Sequence, residues 1–172
     1  MQTFLPYPDF VRSARSLDAR RLGKQRVEAL QVLRGLTVPG HGWRRHPAVR
    51  MWAGYEEALV RYGLDVCAEW TRTGRADTCA ASLRADLRAA RGTSRVRRQD
   101  TLSRARELPP WLGDEDFHLS HRSALVRKNP DFYLPQFPSA PDDLPYVWPR
   151  SDREETADRG AARSPAAGTD SA

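Results

Sequence analysis

The chain has 172 residues, 40% hydrophobic and 29% charged, which suits one domain with its own core and leaves no room for a separate cofactor module. No apolar run reaches the roughly 18 residues of a membrane span, and MQTFLPYPDF lacks the basic and apolar regions of a secretory leader. Cys67 and Cys79 are too few for a disulfide framework, so a cytoplasmic protein is expected.

Formal charge is +6, and it is unevenly spread. The last 22 residues hold five acids and three arginines, which leaves 25 bases against 17 acids, +8, on residues 1–150. Twenty-six of the bases are arginine; only Lys24 and Lys128 are lysine. Such a surplus attracts polyanions, nucleic acid first among them. An arginine-favouring composition alone would give the same arithmetic, so charge narrows the partner class without choosing it.

The first dozen residues, with Pro6 and Pro8, read as an extended arm. Ser13 is placed to cap a helix running to about Leu33, with Gly35 as its stop. At 100° per residue Ala19, Leu22, Ala29, Leu30 and Leu33 share one side, and Asp18, Arg21, Lys24, Gln25 and Glu28 share the other. A Gly- and Arg-rich loop, VPGHGWRRHP, leads to Pro47, which suits the first turn of a second helix ending near Arg72 before Gly74. Val49, Trp52, Leu59, Val60, Leu64, Val66, Cys67 and Trp70 supply its apolar positions. Gly63 inside it marks a bend or a close helix crossing.

Residues 79–91 and 95–106 read as shorter helices separated by Gly92 and closed by Pro109-Pro110. A third main helix is expected from about Asp114 to Lys128, with acids in its first turn and bases in its last, as the helix dipole favours. Asn129-Pro130 stops it. Residues 130–149 are rich in proline and aromatics and should wrap the helices as coil, and residues 151–172 have nothing to bury and read as a disordered tail. The expectation is an all-α, compact single domain over residues 1–150, with three main helices, short helices and an irregular carboxyl-terminal wrap.

Three stretches carry chemistry. LDARRLGKQRVE gathers acids, bases and an amide on one helix face, which taken alone reads first as a solvated face with pairs such as Arg21 or Lys24 with Glu28. SHRSALVRKNPDFY puts Ser120, Arg122, Arg127 and Lys128 ahead of Phe132 and Tyr133, a combination of phosphate-neutralising and base-stacking groups that reads equally as a helix end with favourable charges and two core aromatics. WRRHP repeats it with Arg44, Arg45 and His46 at a helix start. His118 and His121 stand at i,i+3, but no third ligand lies at motif spacing, so no metal is expected and a structural or phosphate-contacting role is.

The blocks MQTFLPYPDF, LDARRLGKQRVEALQVLRG, HPAVRMW, EEALVRYGLDVCAEWTRTG and SHRSALVRKNPDFY, in this order over about residues 1–150, resemble the pyrimidine-dimer DNA glycosylase (endonuclease V) family, particularly a bacterial branch of it. The resemblance implies an all-α fold with the amino terminus threaded between three main helices. It also implies excision of a damaged pyrimidine by an α-amine that attacks the sugar C1′, giving an imine that allows strand cleavage. Free α-amines titrate near ~7.7–8.0, so an appreciable fraction is nucleophilic at neutral pH.

Carried onto this chain, the resemblance makes the Met1 amine the nucleophile, retained before Gln2 where the family commonly exposes a small residue. Lys24 and Gln25 fall at the family's Arg-Glu pair. An amide at Gln25 cannot hold a proton or offset charge, so Glu28, one turn on, is the substitute carboxylate, and Lys24 is a rival nucleophile. Gln2, Arg21 and Arg26 are implied at the phosphates near the first helix, and His121, Arg122, Arg127, Lys128, Phe132 and Tyr133 near the third. The chemistry needs no cofactor. A monomer acting on duplex DNA in repair is expected. A noncatalytic nucleic-acid-binding module, to which Gln25 points, and a small-molecule or protein-binding α domain stay open beside it.

Overall fold

Two aspartates divide the expected first helix. In the computed structural model, which describes residues 1–154, Asp9 caps α1 (Phe10–Arg15) by accepting the Arg12 N–H, and Asp18 caps α2 (Ala19–Thr37) by accepting the Arg21 N–H. Ser13, the expected cap, lies inside α1. Its hydroxyl instead binds both backbone groups of Tyr7, at 3.2 Å to the nitrogen and 2.8 Å to the oxygen, and folds the arm back on α1. Gly35 does not stop α2. A Cβ there would lie 2.9 Å from a Val49 methyl, so this glycine allows a close approach rather than a turn.

The expected second helix is also two. α3 (Pro47–Arg50) and α4 (Glu56–Arg72) are separated by turns around Gly54, whose φ of +78° falls in the left-handed region. α5 (Cys79–Arg91) ends at Gly92, φ +72°, and α6 (Gln99–Arg104) is shorter than expected. α7 (Glu115–Lys128) starts on Asp114, and Pro130–Tyr133 forms a one-turn α8 where coil was expected. All eight elements among the described residues are helices, and no strand occurs there.

The core lies where α2, α4 and α5 cross. A Cβ on Gly63 would sit 2.7 Å from Leu83 and 3.2 Å from Ala29, so a glycine in mid-helix marks the close crossing rather than a bend. Trp52, Tyr62, Phe117, Leu5 and Phe10 are fully buried around it, and each such side chain contributes about 1.5–3 kcal/mol by leaving water.

An extended arm inside a helical bundle has no ladder partner, so side chains must take up its buried backbone groups. Gln25 accepts the Phe4 N–H at 2.8 Å, and the Tyr62 hydroxyl donates to the Phe4 carbonyl at 3.0 Å. His121 Nδ1 accepts the Leu5 N–H at 2.9 Å, and His118 Nδ1 meets the Leu5 carbonyl at 2.7 Å. Arg122 donates to the Pro6 carbonyl at 2.9 Å. His118 Nε2 accepts the Gly113 N–H, which leaves Nδ1 to carry the proton toward Leu5. Burial drives the His121 pKa down to about 3, so its ring stays a neutral acceptor.

The aromatic wrap is tied down by Ser123 and Ser120, whose hydroxyls accept the Leu144 and Val147 N–H groups. Packing continues past Arg150: Ser151 is buried and donates to the Ala53 carbonyl, and the Tyr55 hydroxyl donates to Asp152. The rest of the expected tail, residues 155–172, lies outside the described residues.

Candidate active site

The polar side of α2 is solvated only in part. The arm buries Gln25 and Glu28 while Lys24 stays exposed, and a cleft of about 330 Å³ opens at the arm's start, walled by Met1, Gln2 and Phe4 of the arm, Arg20, Arg21, Lys24, Gln25 and Glu28 of α2, Lys128 at the end of α7, and Tyr146 of the wrap. Residues 21, 24, 25 and 28 reach it together because i, i+3 and i+4 positions stack along one helix side.

Glu28 is the centre of this cleft. Its Oε1 lies 3.9 Å from the Met1 nitrogen and 3.5 Å from Lys24 Nζ, and its Oε2 accepts from Gln25 Nε2 at 2.7 Å. Glu28 is 6% exposed, and a buried carboxylate requires such partners to offset lost hydration. The Met1 side chain is only 3% exposed, yet the residue as a whole is half-buried, so its exposed part is main chain. The thioether anchors the arm and the amine faces the cleft.

Gln25 uses its whole hydrogen-bonding capacity. It accepts from Phe4 N–H and from the Tyr62 hydroxyl at 2.6 Å, and it donates to the Gln2 carbonyl at 2.9 Å and to Glu28. An ionised carboxylate at this position has no proton for the last two acceptors and would repel Glu28. The amide is therefore what the local chemistry requires once the carboxylate sits at 28.

Cations crowd the mouth. Burial pushes the Lys128 pKa down, and the charges of Arg21, Arg127 and Lys24 push the same way against the pull of Glu28. Burial opposes ionisation of Asp18, but hydrogen bonds from Arg21 and Tyr133 outweigh it and hold the carboxyl below its ordinary range. Asp18 thereby fixes Arg21 at the cleft edge, where its guanidinium also lies 5.4 Å from the Tyr133 ring centre. His46 caps α3 through Nδ1 and feels the same centre: burial, then the charge of the amine, lower its pKa while Glu28 raises it.

The expected site residues thus separate. Met1, Gln2, Arg21, Lys24, Gln25, Glu28 and Lys128 meet at the cleft. Arg44 and Arg45 line a different hollow, beside His46 in sequence. Arg26, expected at the phosphates, turns away to Asp77 at 2.5 Å and lies over Trp70. His121 and Tyr133, each 0% exposed, present no surface to DNA; one holds Leu5 and the other bonds Asp18 through its hydroxyl. Arg122 is spent on Pro6 and Glu115, and Arg127 on the Asp142 carbonyl. Phe132 stays exposed on α8. Arg20, Phe4 and Tyr146 were missed as lining residues. Arg20 was legible, lying four residues before Lys24, whereas Tyr146 belongs to a stretch without period.

Residues 1–83 match a family model described as pyrimidine dimer DNA glycosylase. Over that segment, just under half of the chain, the sequence is similar to the pyrimidine dimer DNA glycosylase family. The matched segment carries the arm, α1 to α4 and the whole α2 wall of the cleft. At family level this gives a DNA glycosylase-type role in repair, with DNA as the substrate bound. No curated protein and no solved structure matches the chain. No described helix is long and apolar enough to cross a membrane.

Proposed function

We propose that this protein is a DNA glycosylase with abasic-site lyase activity, acting on a damaged or modified base of duplex DNA through an imine at C1′. The observation that carries the reading is the Met1 nitrogen at 3.9 Å from a buried Glu28 carboxylate, inside a cleft rimmed by Arg20, Arg21, Lys24 and Lys128. The neutral amine attacks C1′, the glycosidic bond breaks, and the base leaves with the electron pair and takes a proton from solvent. Glu28 Oε1 stands within one water of the amine, where it takes up the proton the amine sheds and offsets the cationic sugar. Opening of the sugar gives the protonated imine. Loss of a C2′ proton then expels the 3′ phosphate, and water releases the amine.

In this reading Gln25 aligns both ends of the reacting pair, since it bonds the Gln2 carbonyl on one side and Glu28 on the other. Lys24, with Nζ 3.5 Å from Glu28 Oε1, favours a second reading in which the lysine is the nucleophile. Reduction by borohydride on abasic-site duplex separates the two, because it turns an imine into a permanent crosslink. The crosslink is expected with wild type and Lys24→Ala, and its yield should fall by at least about a hundredfold in Glu28→Gln or after acetylation of the α-amine. Loss in Lys24→Ala with retention in the acetylated form makes Lys24 the attacking group. Salt-dependent duplex binding with no crosslink in wild type makes the protein a noncatalytic DNA-binding module.

A further inference from the structure

One donor in the cleft wall is left over from the hydrogen bonding of the arm. Gln2 is 5% exposed; its side-chain Oε1 accepts the Thr3 N–H at 2.9 Å, and its carbonyl accepts from Gln25 Nε2 at 2.9 Å. Its own Nε2 is buried and meets no acceptor among the described residues. The Thr3 bond fixes which end of the amide is oxygen, so both N–H groups of the other end stay unpaired in a residue that walls the cleft. Burying a donor without a partner is costly, and the missing acceptor has to come from outside the chain.

Position selects that acceptor. Gln2 is joined to the residue whose nitrogen lies 3.9 Å from Glu28, and consecutive Cα atoms stand only ~3.8 Å apart. Phosphates have Arg20, Lys24 and Lys128 on the same cleft, and a charged donor holds them about twice as strongly as a neutral amide does. The base is out of reach, because an amine that displaces it approaches C1′ from the face away from the glycosidic bond. What a donor beside the amine meets is the sugar ring, where O4′ is the acceptor bonded to C1′.

We propose that Gln2 is a catalytic residue whose Nε2–H donates to the deoxyribose ring oxygen O4′ of the nucleotide under attack. The assignment rests on the glycosylase reading of the cleft and names its sugar contact. As the imine forms, the nitrogen lone pair makes the C1′=N bond, the C1′–O4′ bond breaks, and its electron pair stays on O4′. O4′ then takes the proton that Glu28 received from the amine. Gln2 keeps its own hydrogens; its N–H stabilises the charge that grows on O4′ before that proton arrives, as an oxyanion-hole donor does.

The test uses two duplexes, each with one abasic analogue: a tetrahydrofuran residue, which has the ring oxygen, and a cyclopentane residue, in which a methylene replaces it. Neither carries a group at C1′ that an amine can displace, so affinity is read without imine formation. Wild type should bind the tetrahydrofuran duplex about fivefold more tightly. Gln2→Glu keeps an acceptor for the Thr3 N–H and removes the donor, and its added charge weakens both duplexes alike and cancels in the ratio. That ratio should fall to about one, as should the ratio of Gln2→Met. The variant whose thermal melt matches wild type decides, and the wild-type ratio decides should neither fold. On a true abasic duplex, borohydride crosslinking by either variant should slow at least about tenfold. No preference in wild type, or a preference kept by a folded variant, overturns the role of Gln2. The two readings fail separately: preference without crosslinking in wild type removes the imine and leaves the Gln2 contact, whereas crosslinking without preference removes Gln2 alone.

Discussion

On the α4–α6 side of the molecule, guanidinium groups have carboxylates of their own: Arg61 with Asp65 at 2.5 Å, Arg72 with Glu69 at 2.5 Å, Arg97 with Glu57 at 2.7 Å. On the arm side the Met1 nitrogen and Lys24 share one oxygen of Glu28, and Arg20 and Lys128 have no carboxylate at ion-pair distance among the described residues. The first arrangement is a set of closed pairs, two within α4 and one that ties α4 to the segment before α6. The second is one buried anion among a surplus of cations, and that imbalance is what an incoming phosphodiester would relieve. The basic residues of the sequence therefore hide two different electrostatic jobs.

The largest effect that would test this contrast is at Gln25. Gln25→Leu strands the Phe4 N–H and the Gln2 carbonyl, and should cost about 3 kcal/mol in urea unfolding. Arg34→Ala, which opens the half-exposed pair with Asp86, should stay within about 0.5 kcal/mol. Comparable losses at the two positions would mean that the arm is not held by this amide.

A smaller effect is expected in binding. Arg20→Ala and Lys128→Ala should each lower the slope of log affinity against log salt by about 0.9, one phosphate contact apiece, and Arg61→Ala and Arg97→Ala should leave it unchanged. Identical slopes for all four would erase the distinction between the two sides.

The smallest effect is in the pH dependence of folding. An unfolded histidine titrates near ~6.5, whereas His121 in the fold titrates at about 3 and His118 is shifted the same way by burial. Between the two values for His121 the unfolded chain binds a proton that the folded chain refuses, so stability should fall as pH drops below about 6.5, by about 1 kcal/mol per unit for His121, with His118 acting in the same direction. His121→Asn keeps an acceptor near the Leu5 N–H without a titrating ring. Urea unfolding between about pH 6.5 and 4.5, above the carboxylate range, should show a shallower decline for this variant. Parallel declines would place the titrating group elsewhere.

Much of the helical layout was legible. Pro47, Gly74, Gly92 and Asp114 act as the start and stop signals they resemble, and the apolar positions of α4 are buried almost throughout. The errors came where a residue type has two uses. Ser13 was a plausible cap but serves Tyr7, and Gly35 was a plausible stop but lets Val49 come close. At the site, the grouping of Lys24, Gln25 and Glu28 followed from helical spacing. The resemblance implies His121 and Tyr133 at DNA, and their own stretch leaves a core role open, because a basic, aromatic segment looks the same whether it faces solvent or the core.

By itself the sequence determined the all-helical class, the basic surplus and the presence of a carboxylate, an amide and a lysine on one side of α2, because helix periodicity and chain-end signals are local. Only the tertiary structure decided that this polar side is covered at Gln25 and Glu28. Its cover is an arm whose backbone is satisfied by His118 and His121, 113 and 116 residues away, and whose first nitrogen comes to Glu28. An extended strand without a ladder partner leaves no periodic trace in its own residues. Its hydrogen-bond partners lie scattered through the chain, and folding alone brings them to one place.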